Sequence, residues 1–172
     1  REQVAGRRKG VGFILMDNDI VTGRREWAWE LQNMNIIQKQ IHGTSLQYKQ
    51  KGLLFLGESG SGKSDLALRL IDKGAYLIAD DQTILTLKNN RIFLSCPETI
   101  KSKLEIRSIG IIDIPSIEEH QLDIVFQLKC FREIKRLPKD NQITLLDQKI
   151  PYYEIDPFEL SVNAKVSFIL KI

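Results

Sequence analysis

The apolar positions of this chain fall into short runs bounded by charged and turn-forming residues, and most of the runs have the length of strands. Gly52-Leu53-Leu54-Phe55-Leu56 is a continuous apolar run, the pattern of a buried strand. From Ser64 to Lys73 the period changes. Leu66, Ala67, Leu70 and Ile71 recur at helical spacing, which predicts a helix with one inward face and Gly74 at its C′ position. Tyr76-Leu77-Ile78-Ala79 predicts another strand, closed by Asp80-Asp81. Thr83–Leu87 and Arg91–Leu94 flank Lys88-Asn89-Asn90, which reads as a hairpin turn. Leu104–Ile114 is apolar and β-branched with an interruption at Gly110, and Asp123–Leu128 reads as a buried strand. Val162–Ile172 closes the chain with alternation at Val166, Phe168 and Leu170, the period of a strand. There are no repeats and no low-complexity segment. The expected fold class is α/β, with a mixed, strand-rich sheet and flanking helices.

Residues 1–33 behave differently. They hold scattered basic residues, an apolar patch and the amphipathic stretch Trp27-Ala28-Trp29-Glu30-Leu31, and match no regular pattern. The expected organisation is an N-terminal extension over 1–33 and one patterned domain over 34–172. Met34 is a candidate start position, and an arm packed on a neighbouring subunit is the alternative reading of the extension.

Composition narrows the function classes. A chain of 172 residues can bury a core without disulfides or structural metal. The net charge is +3, of which residues 1–33 contribute six Lys+Arg against five Asp+Glu, or +1, and the remainder +2. That is no nucleic-acid surface. Cys96 and Cys130 are far apart, with no C-x-x-C and no Cys/His ligand spacing, so both are expected to be ordinary core or surface thiols. No apolar run has membrane-spanning length. Phe13–Met16 is too short for a signal segment and is followed by Asp17-Asn18-Asp19, so a cytoplasmic location is expected.

One segment carries specific chemistry. Gly57-Glu58-Ser59-Gly60-Ser61-Gly62-Lys63-Ser64 fits G-x-x-x-x-G-K-[ST] at every position. Glycines at that spacing let the backbone curl so that successive N–H groups face phosphate oxygens. The helix that follows adds its positive end. Lys63 can reach the β- and γ-phosphates, and the Ser64 hydroxyl can ligate Mg²⁺. The apolar strand before the loop and the amphipathic helix after it are the context the motif requires. The expected ligand is a nucleotide, ATP with Mg²⁺. No N-K-x-D guanine motif is present.

Together with His42-Gly43 before the first strand, Leu77-Ile78-Ala79-Asp80-Asp81, the stretch Leu104-Glu105-Ile106-Arg107-Ser108-Ile109-Gly110-Ile111 and Arg136-Leu137, this loop makes Met34–Ile172 resemble the catalytic domain of the HPr kinase/phosphorylase family. The similarity covers 139 of 172 residues and is nearest the short α-proteobacterial form, which lacks the family's N-terminal domain. The resemblance implies an HPr kinase/PEP carboxykinase-like fold, a serine of an HPr-type phosphocarrier as acceptor, and a homo-oligomer, a hexamer in the family.

It also implies roles. Asp81 becomes the base that takes the proton of the acceptor serine, and the acid in reversal. A carboxylate can do this because a serine hydroxyl is a poor nucleophile until deprotonated. Glu105 becomes a magnesium ligand with Ser64, while His42 and Arg136 support the transferred group. From the residues alone, Asp80-Asp81 equally suits a turn-forming pair, and Glu105 with Arg107, two apart on an expected strand and so on one face, is commonly just a solvated polar face with a weak ion pair. If the strand continues through Asp80-Asp81, the two carboxylates point to opposite sides.

Three departures bear on dephosphorylation and regulation. Ser108 stands where the family has glycine. Ile155-Asp156-Pro157-Phe158-Glu159-Leu160 stands where the family has a basic Gly-Arg-Asn loop. Resemblance to the short form implies that the family's N-terminal regulatory domain is not to be expected. A small-molecule kinase on the same scaffold, and a regulator that senses ATP without turnover, are the rival functions.

Overall fold

The computed structural model describes residues 36–137 and 141–171, and the readings made for residues 1–33 lie outside them. Eleven strands and two helices follow one another there. The strands are β1 (Ile37–His42), β2 (Thr44–Tyr48), β3 (Lys51–Leu56), β4 (Tyr76–Ala79), β5 (Gln82–Lys88), β6 (Arg91–Ser95), β7 (Lys103–Ile106), β8 (Gly110–Asp113), β9 (Glu119–Leu128), β10 (Gln142–Leu145) and β11 (Gln148–Ile155). Helix α1 spans Lys63–Ile71 and α2 spans Val162–Ile169.

Tight turns set the registers of three hairpins. Lys49-Gln50, Asn89-Asn90 and Leu146-Asp147 all have positive φ at both positions, between 44° and 62°. That is the type I′ geometry whose twist matches paired strands. The expected turn at Lys88-Asn89-Asn90 is therefore present, with Lys88 paired to Arg91 across it. The other two lack an Asn or Gly signal, which is why the pattern did not announce them.

Nine strands form one mixed sheet in the order β1-β5-β6-β9-β3-β2-β4, with β11 beside β9 and β10 beyond it. The pairs β3–β9 and β9–β11 are parallel. Strands β7 and β8 make a separate antiparallel pair. Alternation along β3 sends Leu53 and Phe55 into a core shared with α1 and α2, and Leu54 into a second core on the other face.

Strand β9 keeps its two faces in order through a one-residue irregularity. Gly52 pairs with Leu122 and Leu53 with Ile124, so Asp123 is skipped. The slip reverses the parity, letting Leu122 and Val125 share one core while Ile124 and Phe126 face the other. The skipped Asp123 accepts the Gly52 N–H at 2.8 Å. Gly52 has to be glycine here, because a Cβ would lie 1.9 Å from the Gln121 carbonyl oxygen.

The expected helix after the loop is α1, with Leu66, Ala67 and Leu70 buried. Its end has the paired bonds of a Schellman cap around Gly74 (φ 90°): Gly74 N–H to Ile71 C=O and Ala75 N–H to Leu70 C=O. Two expectations need correcting. The final segment is helical, not a strand. Val162 and Val166, one helical turn apart, are its buried positions, whereas Phe168 is 70% exposed. The alternation at Val166, Phe168 and Leu170 was coincident with part of a helical stripe. The Leu104–Ile114 segment is a hairpin, and β7 ends at Ile106, so Arg107 does not share a strand face with Glu105.

Candidate functional site

Strand β3 is central and parallel to β9, and the chain leaving its end at Leu56 turns through Gly57–Gly62 into α1. Ser61 N–H closes a turn on the Glu58 carbonyl at 3.1 Å. Gly60 (φ 79°) and Gly62 (φ 90°) adopt the left-handed backbone that such a curl demands. Gly62 is the N-cap of α1, with no side chain to bond the first-turn amides. Those amides therefore point outward at the positive end of the helix. The strand-loop-helix context expected for the motif is in place.

Lys63 is folded over this loop. It is 6% exposed, and Nζ donates to the carbonyls of Gly57 at 3.0 Å and Glu58 at 2.9 Å. An ammonium has three N–H donors, so one is left for an anion. Burial pulls its pKa below the ordinary lysine range, and the carboxylates of Asp81 and Asp80 oppose that pull. Ser61 Oγ is buried in the same loop and has no hydrogen-bond partner among the described residues.

The dipeptide after β4 splits into two environments. Asp80 is 7% exposed and accepts from Thr44 Oγ1 at 2.8 Å and from Ser64 Oγ at 2.9 and 3.1 Å. Asp81 is turned out, its side chain 72% exposed, with Oδ1 3.3 Å from His42 Nδ1. Its φ of 66° is unusual for a non-glycine residue. The antiparallel pairing of β1 with β5 sets His42 opposite Gln82, and Gly43 N–H donates to the Asp81 carbonyl at 3.0 Å. The β4–β5 connection thus holds His42 and Asp81 together while Asp80 turns inward. The expectation that the two carboxylates point to different sides holds, although β4 already ends at Ala79.

Sequence reasoning missed Asp80 as the acid at Ser64. The available signal was its place at the end of the strand beside β2, which only the sheet order makes visible. Arg107 was missed too. It sits in the β7–β8 turn, and a Cβ on Gly60 would lie 3.6 Å from its Nη2. Of the remaining expected residues, Glu105 is exposed on β7, and Arg136 is exposed in a bend after the short 3₁₀ turn Phe131–Glu133. Among the described residues, no hydrogen bond or ion pair joins either one to Lys63, Ser64 or Asp81.

The donor chemistry fits magnesium. Ser64 and Asp80 supply a hydroxyl and a carboxylate, and Mg²⁺ is held by one or two protein oxygen groups together with phosphates. Among the described residues no cluster of three or more His, Cys, Asp or Glu side chains is assembled. Cys96 belongs elsewhere: burial and the Glu98 carboxylate push its thiol up to about 11. It lines a polar pocket of about 310 Å³ with Lys88, Glu98 and Lys101 that shares no residue with the Gly57–Ser64 loop. No helix among the described residues is long and apolar enough to cross a membrane.

Comparison with known proteins relates the chain to one family. The family described as HPr Serine kinase C-terminal domain matches residues 34–168. HPr kinase/phosphorylase of Mycoplasmopsis pulmonis is 32% identical over 128 residues, covering 70% of this chain and 40% of that protein. The corresponding protein of Thermoanaerobacter pseudethanolicus is 38% identical over 126 residues, covering 66% and 41%. The chain therefore spans about two fifths of the length of these relatives. The solved structure of the Hpr(Ser) kinase/phosphatase from Coxiella burnetii superposes with a TM-score of 0.66 at 26% identity, covering 76% of this chain and 86% of that one. With the match running from the residues before β1 into α2, this chain belongs to the family of the HPr serine kinase C-terminal domain.

Proposed function

We propose that this chain is an ATP- and Mg²⁺-dependent protein kinase domain that phosphorylates a serine of an HPr-type phosphocarrier, and so regulates the phosphotransferase system and carbon metabolism. The observation that supports it most is the division of labour in Asp80-Asp81. One carboxylate bonds the Ser64 hydroxyl at the end of the loop, and its neighbour faces solvent beside His42. An acceptor arriving from outside meets Asp81 first, within the field of Lys63.

In this reading the loop amides, the remaining N–H of Lys63 and the positive end of α1 hold the phosphates of ATP. Ser64 and Asp80, with Glu105 expected from the family resemblance, would hold Mg²⁺, which neutralises phosphate charge when bound. Asp81 takes the proton from the acceptor serine hydroxyl. The serine oxygen then forms a bond to the γ-phosphorus as the bond to the β–γ bridging oxygen breaks, and ADP leaves. His42 Nδ1 orients the Asp81 carboxylate and, with Arg136, supports the transferred group. In the dephosphorylating direction Asp81 would act as the acid. Assembly as a homo-oligomer, a hexamer, rests on the family resemblance.

The test is phosphoryl transfer from labelled ATP with Mg²⁺ to an HPr-type carrier, run beside Asp81→Asn. Labelled serine is expected from the native chain, with the rate reduced by about 10²- to 10⁴-fold in the variant while ATP binding persists. If both proteins bind ATP and neither labels the carrier, the carrier-kinase reading fails. Labelling of metabolites in place of the carrier would favour the small-molecule kinase.

A further inference from the structure

We propose that the exposed ring of Phe158 is a platform on which the base of the bound nucleotide lies, so that this chain grips the base as well as the phosphates. The inference rests on reading Gly57–Ser64 as the phosphate site and adds a subsite to it.

Three observations carry the proposal. The first is position. The loop after β11 lies against the last glycine of the Gly57–Ser64 segment. A Cβ on Gly62 would stand 3.1 Å from Phe158 Cζ and 3.1 Å from Pro157 Cγ. The missing side chain of Gly62 is what lets the ring come that close. Because β11 is parallel to β9 and β9 is parallel to β3, the loops leaving β3 and β11 emerge at the same end of the sheet.

The second observation is exposure. Phe158 touches this loop at its edge yet is 68% exposed. Its apolar ring is therefore presented to solvent beside a strongly polar loop. An aromatic face in that position can stack with a heterocycle, and base–aromatic stacking is tolerant of base identity because every base has a π-face.

The third is rigidity. Asp156 Oδ1 accepts the Phe158 N–H at 2.9 Å, and Oδ2 accepts the Phe131 N–H at 3.0 Å. Arg69 Nη2, on α1, donates to the Pro157 carbonyl at 2.6 Å. Glu159 is paired with Lys165 of α2. The ring is thus carried by a segment tied to α1, α2 and the turn after β9, and little ordering is left to be done on binding.

The experiment measures the affinity of the full chain for MgATP, MgGTP and inorganic tripolyphosphate by titration calorimetry, with folding checked by circular dichroism. Tripolyphosphate offers the loop the same phosphates without a base. Phe158→Ala and Phe158→Leu are expected to weaken ATP and GTP on the order of tenfold, with tripolyphosphate changed less than twofold. Phe158→Trp is expected to keep native ATP affinity. Leucine retains apolar bulk against Gly62, so loss of nucleotide affinity in that variant reports the π-face and not the packing. Equal weakening of nucleotide and tripolyphosphate, or no weakening of either, overturns the proposal while leaving the phosphate site intact. A native chain that binds neither ATP nor tripolyphosphate overturns the phosphate-site reading itself, and this subsite with it.

Discussion

Ser64 and Asp80 are joined by a two-oxygen contact, Ser64 Oγ lying 2.9 Å from one carboxylate oxygen and 3.1 Å from the other. The same carboxylate accepts from Thr44 Oγ1 at 2.8 Å, and Thr44 is fully buried. A single acid therefore links the first turn of α1 to β2 and defines where the proposed magnesium end of the site sits.

Removing that acid has two separable consequences. Asp80→Ala strips the acceptor from the buried Thr44 hydroxyl, a loss of about 1–3 kcal/mol for an orphaned buried donor. At this size that corresponds to a fall in Tm of about 2–4 °C per kcal/mol, readable by differential scanning calorimetry. Asp80→Asn keeps an oxygen acceptor for Thr44 and is expected to stay within about 1 kcal/mol of the native stability. It loses the charge, so the gain in ATP affinity on adding Mg²⁺ should disappear in both variants. A Mg²⁺ effect preserved in Asp80→Asn would remove Asp80 from the metal role.

Ser108 occupies a position that suits glycine. Ile109 N–H bonds the Ile106 carbonyl at 3.0 Å, and Ser108, third in that four-residue turn, has φ 67°. A side chain in the left-handed region is strained, and the third position of such a turn favours glycine. Ser108→Gly is expected to raise stability by about 0.5–1 kcal/mol, while Ser108→Ala, which keeps the Cβ, should give no gain. Denaturant titration decides between them. Equal stability in all three would show that the turn carries no strain at this residue.

Cys96 supplies a pH-dependent signature away from the site. Burial first, then the Glu98 carboxylate, push its thiol up to about 11, and Sγ–H donates to the Pro97 carbonyl at 3.3 Å. The folded chain therefore holds this proton more tightly than the unfolded chain. Between the ordinary thiol range and about pH 11 the unfolded chain loses the proton first, so the Cys96 contribution makes stability fall as pH rises through that window. Alkylation with iodoacetamide, followed by peptide mass spectrometry, should label exposed Cys130 at pH 8 and leave Cys96 largely unmodified until the pH approaches its own range. Rapid labelling of Cys96 at pH 8 would contradict its protonated state.

Much of the architecture was legible from local pattern. The run Gly52–Leu56, the stripe Leu66-Ala67-Leu70 and the cap at Gly74 are interactions within a few residues, and each appears where its spacing predicts. The Asn89-Asn90 turn was visible because asparagine tolerates positive φ, whereas Lys49-Gln50 adopts the same turn with no such advertisement. The closing helix was misread because Val166, Phe168 and Leu170 also satisfy a period of two. Burial of Val162 and Val166 against the α1 side of the sheet decides the matter, and that is a tertiary fact.

The same boundary runs through the site. The sequence alone determined the curled loop Gly57–Ser64, because a tight backbone curl is a local demand that glycines at fixed spacing meet by themselves. It could not determine which of two adjacent acids meets Ser64, since that depends on β4 lying beside β2 and on Asp81 turning outward at positive φ. Nor could it bring Arg107 to Gly60 or Phe158 to Gly62, contacts between residues 47 and 96 positions apart. Those neighbours exist because β7–β8 folds as a hairpin and β11 lies parallel to β9. Sheet order, which long-range burial selects, placed the loop after β11 at the same end of the sheet as the loop after β3, while Arg107 is brought in by the separate β7–β8 pair.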